Sequence, residues 1–136
     1  MNDSYARLLP PVTDTNRQYW DGLAQGELRL QQCDACGAMR YPDAPCCPEC
    51  LCDAHTWKPV SGRATLWSWI IMHQRYFEAF DELRPYLVVQ IKLEEGPLMV
   101  SSLIDPPDQL EVDAPLKVEF VKSPADRIIP KFRVVS

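Results

Sequence analysis

Glycine is scarce in this sequence, which has 5 glycines and 13 prolines among its 136 residues. That balance disfavours flexible linkers and favours rigid, extended connections. The sequence also lacks any run that is long and apolar enough to span a bilayer. Its first residues lack the basic-then-apolar order of a secretory signal. We therefore expect a cytoplasmic protein that has no membrane partner.

A surplus of basic residues is also missing, because the formal net charge is -5. A protein that binds duplex DNA neutralises phosphates with a basic surface, so this charge disfavours that class. Hydrophobic residues make up 46% of the chain and charged residues 24%, which is typical of a globular protein. The length suits one ordinary domain or two very small ones.

Five of the six cysteines lie between Cys33 and Cys50. In a reducing cytoplasm a disulfide framework is disfavoured, so a metal site is the better interpretation. Cys33 and Cys36 form one Cys-x-x-Cys pair, and Cys47 and Cys50 form a second. Two such pairs a short hairpin apart predict one structural Zn²⁺ per chain with four sulfur ligands. Iron of the rubredoxin type fits the same four-sulfur geometry.

Cys46 competes with Cys47 for the third ligand position, and Cys52 is a second spare cysteine. We favour Cys47 because using Cys46 would lose the Cys-Pro-x-Cys turn. Gly37 follows the first pair, where such a turn often needs a positive φ, and Leu51 holds the matching place in the second. Four thiolates close the coordination shell and leave no position for substrate, so the predicted site is structural.

Hydrophobic alternation and turn signals predict a mainly β chain. A helix is expected from a cap at Thr13 or Asp14 to about Ala24, with Gly26 as its stop. The segments ELRLQQC, AMRYP and HTWKPV predict short strands around the cysteines.

Five further strands follow Gly62, which suggests a small OB-type barrel. Strict alternation in the first of these strands places Trp67 and Trp69 on one face, and Leu66 and Ile70 on the other. The predicted organisation is an N-terminal helical segment over residues 1–26, a zinc ribbon over 27–60 and an OB-fold barrel over 61–136.

The ordered set of motifs resembles a known family. The stretches are YWDGLAQGELRLQQCDACG, YPDAPCCPEC, SGRATLWSWIIMHQ, PYLVVQIKLEEGPLMVSSLID and IPKFRVV. They are similar to those of the rubredoxin-like zinc-ribbon plus OB-fold proteins catalogued as domain of unknown function thirty-five. The resemblance covers nearly the whole chain.

The resemblance implies a companion subunit of a thiolase-like acyl-CoA enzyme. Such enzymes form or cleave C–C bonds, as in steroid side-chain retro-aldol steps, or transfer acyl groups. The family's companion subunit supports assembly and the acyl-CoA path, while the thiolase-like subunit carries the reactive groups. A hetero-oligomer with acyl-CoA at the shared interface is therefore expected.

The residues themselves favour a binding or assembly role over catalysis. His55 and Cys52 are the one tempting nucleophile pair, but nothing nearby in sequence suggests an orienting carboxylate or an oxyanion hole. We therefore predict no catalytic residue. The alternative function is single-stranded nucleic-acid binding, which both OB barrels and zinc ribbons serve. Scattered basic residues among acidic ones disfavour it.

Two small groups of residues are candidates for contacts with partners. Apolar area beyond what a small loop needs predicts a protein interface. This first group is Tyr76, Phe77 and Phe80 of the loop, together with Trp20 of the predicted helix, whose apolar face could dock on a partner instead of packing. Arg75 and Lys131 are candidates for contact with the anionic end of CoA, because positive charge suits phosphates.

Overall fold

The structure, a computed structural model, describes residues 7–74 and 85–135. Within these residues it contains α1 (Arg17–Ala24), β1 (Leu28–Cys33), β2 (Met39–Arg40), β3 (His55–Val60), β4 (Arg63–Met72), β5 (Tyr86–Leu93), β6 (Leu98–Ser101), β7 (Pro115–Lys122) and β8 (Ile128–Val134). The strands form one three-stranded sheet in the order β2-β1-β3 and one five-stranded sheet in the order β6-β5-β4-β7-β8. All of these pairings are antiparallel.

The helix begins later than its sequence signals predict. Thr13 and Asn16 exchange hydrogen bonds, the N–H of Thr13 to the Asn16 side chain and the N–H of Asn16 to the Thr13 hydroxyl. This turn precedes α1, so the prediction of Thr13 or Asp14 as the cap is wrong and Asn16 takes the cap position. The end at Ala24 is confirmed, and Gly26 follows with a φ of +80°.

The three-stranded sheet places both ends of the cysteine segment beside each other. β1 is its central strand and ends at Cys33, which lies opposite His55 at the start of β3. The short β2 pairs with β1 on the other side, with Arg40 opposite Gln31. The three short strands predicted around the cysteines are confirmed, and β3 covers the same residues as the prediction.

The five-stranded sheet curls into a half-barrel after Gly62. The chain beyond β6 meets β8 through a parallel bridge between Leu103 and Phe132. The N–H of Phe132 also donates to the carbonyl of Ser102 at 3.0 Å. These contacts bring the two edges of the sheet together, as in a partly open OB barrel. The predicted fold class is confirmed: over the described residues the chain is mainly β, with one short helix, a four-cysteine cluster and then a five-stranded half-barrel.

A β-bulge in β4 overturns the predicted alternation of the tryptophans. The pairing of β4 with β5 shifts between Leu66 and Ser68. Because a bulge inserts one extra residue, the alternation of inward and outward side chains shifts by one position after it. Leu66 is fully buried and Trp69 packs against the core, whereas Trp67 is 44% exposed. Trp67 and Trp69 therefore do not share a face.

One hydrophobic core joins the two sheets. Leu23 of α1 and Leu28 and Leu30 of β1 belong to the same buried cluster as the inward residues of the half-barrel. Burial of this apolar area is the main favourable contribution to folding. The ribbon therefore packs on the barrel. The boundaries predicted after residues 26 and 60 stay a proposal.

Candidate metal centre and partner surface

Two backbone turns of the same form direct the four cysteines toward one another. The N–H of Gly37 donates to the carbonyl of Cys33 at 3.0 Å, and the N–H of Leu51 donates to the carbonyl of Cys47 at 2.8 Å. Gly37 has a φ of +80° and Leu51 a φ of +66°. Only glycine adopts this region freely, so the second turn holds Leu51 in a strained conformation.

The four sulfur atoms of the two turns form one compact group. The Sγ atoms of Cys33, Cys36, Cys47 and Cys50 all lie within 4.8 Å of one another. The sulfurs of Cys33 and Cys50 are 3.5 Å apart, and those of Cys36 and Cys47 are 3.6 Å apart. A tetrahedral ion with Zn–S bonds of about 2.3 Å separates its sulfurs by roughly 3.8 Å. The donor set therefore fits such an ion.

Backbone N–H groups polarise two of these thiols. Hydrogen bonds from the N–H groups of Cys36 and, to a smaller extent, Ala35 lower the pKa of Cys33 to about 6. Burial opposes this change but does not outweigh it. Donation from the N–H of Cys50 likewise lowers the pKa of Cys47. N–H groups that point at sulfur favour the thiolate, which is the form that binds metal.

The other two thiols hold protons that the group shares. The N–H of Cys52 lowers the pKa of Cys50, but the hydrogen bond with Cys33, burial and the two remaining thiols outweigh it and raise that pKa to about 12. Donation from the N–H of Ala38 and the hydrogen bond with Cys50 lower the pKa of Cys36, but the hydrogen bonds with Cys47 and Cys33 and burial outweigh them, so that pKa is also raised. A bound dication would take the place of these shared protons.

Cys46 and Cys52 lie outside the group of four, as far as the described residues extend. Both are half-buried free thiols. The carbonyl of Cys52 accepts from the N–H of Cys47 at 2.8 Å, which fixes the backbone of the second turn. Cys47 is fully buried, and its sulfur also accepts from the N–H of Glu49 at 3.4 Å. The geometry supports Cys47 over Cys46 as a ligand, and that assignment stays a proposal.

A buried polar network that no sequence signal predicted joins the strands beside the metal centre. Gln31 is fully buried, and its side-chain oxygen accepts from Arg40 Nε at 2.6 Å and from the N–H of Ala44 at 2.9 Å. Its amide nitrogen lies 3.4 Å from His55 Nε2. His55 Nδ1 lies 3.1 Å from the carbonyl of Asp53. Gln31 is polar and adjoins buried Leu30 in a strand, so alternation gave no signal for its burial.

The structure describes only some of the predicted contact residues. Arg75, Tyr76, Phe77 and Phe80 lie outside the described residues. Trp20 is half-buried and packs against the core, with the guanidinium of Arg127 4.8 Å from its ring centroid. Lys131 lies on β8 opposite Glu119 and is half-exposed. The roles predicted for all of these residues stay proposals.

Exposed apolar side chains lie on β4 and β6, the two strands that flank β5. Ile70 and Ile71, at the end of β4, are 57% and 55% exposed, and Val100 on β6 is 62% exposed. We call the set of Trp67, Ile70, Ile71, Leu98 and Val100 the outer patch. Its β4 residues lie on the strand that leads, in sequence, to the aromatic segment after residue 74. Among the described residues, no helix combines the length and apolarity needed to cross a membrane.

The fold and the cysteine group define a rubredoxin-like ribbon followed by an OB-fold barrel. A sequence profile described as the ChsH2 rubredoxin-like zinc ribbon domain matches residues 20–57. A second profile, described as the ChsH2 C-terminal OB-fold domain, matches residues 57–121. The two matches follow one another along the chain, and both profiles describe domains of ChsH2. The chain therefore belongs to the ChsH2-type zinc-ribbon and OB-fold family, whose members also carry the name DUF35.

Two curated relatives carry different names. A Thermomonospora curvata protein named "Probable enoyl-CoA hydratase alpha subunit" is 30% identical over 127 residues, which is 91% of this chain. This chain spans 39% of that protein's length. A "DUF35 domain-containing scaffold protein" of Methanothermobacter thermautotrophicus is 27% identical over 113 residues, covering 82% of this chain and 84% of the relative.

One solved structure matches nearly the full length of both chains. It is described as the "Ltp2-ChsH2(DUF35) aldolase" and superposes with a TM-score of 0.80 at 28% sequence identity. The match covers 93% of this chain and 98% of the other.

Proposed function

We propose that this chain is a non-catalytic, metal-stabilised subunit that assembles with a thiolase-like acyl-CoA enzyme. The observation that carries the proposal is the near full-length likeness to the chain described as part of the Ltp2-ChsH2(DUF35) aldolase. The relative named as a scaffold protein supports the same role, since it also matches over most of its length. The hydratase name belongs to a much longer protein, of which this chain covers a minor part.

The metal in this proposal is one structural Zn²⁺ held by Cys33, Cys36, Cys47 and Cys50. Four sulfur ligands complete a tetrahedral shell, so no position is left for water or substrate. The ion would fix the segment between β1 and β3. In that segment, the two residues of β2 make the regular strand pairing with β1. A segment this short depends on metal binding for its folding free energy.

A structural role for His55 supports the non-catalytic assignment. The amide of Gln31 donates to His55 Nε2, so Nδ1 carries the proton and donates to the carbonyl of Asp53. Both ring nitrogens are then occupied within the ribbon. A general base needs a free nitrogen beside the group that it deprotonates. In this proposal the thiolase-like partner supplies the reactive groups.

The outer patch is the surface that we propose for docking the partner. Exposed apolar area of this kind on a small protein marks an interaction site, and its burial supplies binding free energy. Ile70 and Ile71 are neighbours in β4 and point to opposite sides, yet both are more than half exposed. The end of β4 therefore projects beyond the core. Tyr76, Phe77 and Phe80, which follow β4 in sequence, would extend the same interface, and Trp20 of α1 would make a separate contact with the partner.

The reaction of the complex is proposed as C–C bond cleavage or formation on an acyl-CoA, with acyl transfer as the other reaction of this enzyme class. The aldolase description of the similar structure favours the former. Acyl-CoA would lie at the shared interface, where Arg75 and Lys131 would contact its anionic end. The single-stranded nucleic-acid alternative requires a continuous basic groove, which a net charge of -5 disfavours.

Reconstitution tests this proposal. The chain is tagged and purified from its native cells, and a co-purifying thiolase-like protein is then produced separately. We expect acyl-CoA cleavage or condensation in the mixture and at least tenfold less with either protein alone. Full activity of the partner without this chain would contradict the proposal, and so would co-purification of RNA in place of a protein.

A pair of surface variants tests the docking surface. Replacing both Ile70 and Ile71 with Ser should weaken binding to the thiolase-like subunit at least tenfold, because buried apolar side chains at an interface each contribute about 1 kcal/mol or more. The control is Val112→Ser, which changes a residue that is 63% exposed in the loop before β7. Titration calorimetry should show a Kd within twofold of the wild type for the control. If the two variants weakened binding to the thiolase-like subunit equally, the outer patch would be rejected as the docking surface.

A further inference from the structure

A small cavity lies between α1 and the three-stranded sheet, away from the outer patch. Its volume is about 180 Å³, and four of its ten wall residues are aromatic. These are Tyr19 and Trp20 of α1, Tyr41 after β2 and Trp57 of β3. A buried water occupies about 30 Å³, and an apolar cavity of about 150 Å³ holds benzene. The cavity therefore suits a guest of roughly six non-hydrogen atoms and is far too small for CoA.

Arg40 lines this cavity with an incompletely bonded guanidinium. The residue is 6% exposed. Its Nε donates to Gln31 and its Nη2 donates to the carbonyl of Ala44 at 3.2 Å, and both acceptors are neutral. Its Nη1 is buried and has no hydrogen-bond partner. A buried cation that lacks a compensating anion costs several kcal/mol, so this site favours a negative ligand.

Trp20, another wall residue, carries a second unpaired donor. Its indole Nε1 is buried without a hydrogen-bond partner. Arg127 lies over the face of this indole and donates to the carbonyl of Pro10, another wall residue. Two donors thus lack acceptors, and two guanidinium groups lie close to the indole and the cavity. Groups of this kind bind the oxygen atoms of an anion.

The remaining polar wall residues set the charge that the guest meets. Asp43 lines the cavity and is half-exposed. Burial raises the pKa of Tyr19 well above its ordinary value, and burial also raises the pKa of Tyr41. Both phenols are therefore neutral at physiological pH. Asp43 is the one acidic side chain among the described wall residues, so a guest with a single negative charge suits the cavity better than a dianion.

We propose that this cavity binds a small monocarboxylate. One carboxylate oxygen would accept from Arg40 Nη1, the other would accept from Trp20 Nε1, and the hydrocarbon part would lie among the aromatic rings. Both nitrogens belong to wall residues but are themselves shielded from water, so binding requires the Arg40 and Trp20 side chains to rotate toward the guest. This site lies apart from the metal centre, and its assignment does not rest on the proposed assembly with a thiolase-like enzyme.

The indole N–H resonances of the folded, metal-loaded chain provide the test. Sodium butyrate is titrated at constant ionic strength, and the Trp20 resonance is assigned from its absence in Trp20→Phe. We expect the Trp20 signal to shift with half-saturation on the order of 1 mM, while that of Trp67, on the outer patch, does not move. Butyramide, the neutral analogue, should bind at least tenfold more weakly. No shift at 50 mM butyrate, or equal binding of butyramide, would overturn the proposal.

Two conservative variants separate the site from general effects on folding. Asp43→Asn removes the rim charge and should tighten butyrate binding about three- to fivefold, since like charges repel. Trp20→Phe keeps an aromatic ring but removes the donor, and should weaken binding about fivefold when followed by the Trp57 resonance. Circular dichroism confirms that each variant is folded. Weaker binding in Asp43→Asn, or unchanged binding in Trp20→Phe, would contradict the assignment of carboxylate contacts.

Discussion

Cys47 and Cys46 are adjacent in sequence but differ in their surroundings. Cys47 is fully buried, with its sulfur in the group of four, whereas Cys46 is half-buried outside that group. We predict that Cys47→Ser lowers the metal content from about one zinc per chain to below about 0.2 and unfolds the ribbon. Structural zinc supplies apparent binding free energies of about 10–16 kcal/mol in small zinc domains, so its loss is not tolerated.

Cys46→Ser is the matched control for that prediction. It should keep about one zinc per chain and a thermal midpoint close to that of the wild type, because its sulfur is not a ligand. Elemental analysis by mass spectrometry and near-ultraviolet circular dichroism measure the two properties. Metal loss in Cys46→Ser with retention in Cys47→Ser would show that the neighbouring cysteine is the ligand.

Gly62 sits at the junction of the two sheets in a conformation that only glycine fits. Its φ is +79°, and a Cβ atom there would lie 2.3 Å from Cγ1 of Val118. Gly26 has nearly the same φ, +80°, but a Cβ atom there would meet nothing within 4 Å. Comparing substitutions at Gly62 and Gly26 therefore separates the cost of backbone strain from that of steric overlap.

We predict that Gly62→Ala lowers the free energy of unfolding by about 2–4 kcal/mol, from strain and overpacking together. Gly26→Ala should cost only about 1 kcal/mol, from strain alone. Urea unfolding of both variants measures the difference. Equal losses would mean that Val118 moves aside without cost.

At the scale of the elements, α1 is fixed to the ribbon through Tyr19. Burial, reinforced by Tyr41, raises the pKa of the Tyr19 phenol well above its ordinary value. A group whose pKa is raised on folding stabilises the protein fully below its unfolded pKa of about 10 and loses that contribution as the pH rises through the folded pKa. The stabilisation by Tyr19 should therefore decline above about pH 10.

Tyr19→Phe isolates this effect from other groups that titrate in alkali. The difference in free energy of unfolding between the wild type and Tyr19→Phe should be constant from pH 7 to about pH 9.5 and should then shift against the wild type. Urea unfolding at a series of pH values measures it. A difference that stays constant up to pH 12 would show that the phenol ionises equally in both states.

The strands and the cysteine turns were predictable because their signals are local. Alternation and turn residues gave β3 and the five strands after Gly62, and Cys-x-x-Cys spacing gave the two turns. The bulge after Leu66 was not predictable, because it depends on pairing with β5 rather than on the residues of β4. Nor was the burial of Gln31 and Arg40, since their partners lie on separate elements and no local pattern marks them.

At the scale of the whole molecule, the ribbon and the half-barrel share one core. Leu28 and Leu30 of the ribbon sheet pack with Leu66 and Phe132 of the barrel. A change at the metal centre would therefore be felt across the molecule through β1. This continuity suits a rigid subunit that presents one fixed surface to a partner.

The mass of the native assembly tests the central claim most directly. The tagged chain is purified from its native cells under mild conditions and its complexes are weighed by native mass spectrometry. We predict a hetero-oligomer in which zinc-loaded copies of this 15.6 kDa chain accompany thiolase-like subunits. A chain recovered only as a monomer, as an assembly of its own copies or with bound RNA would contradict the account.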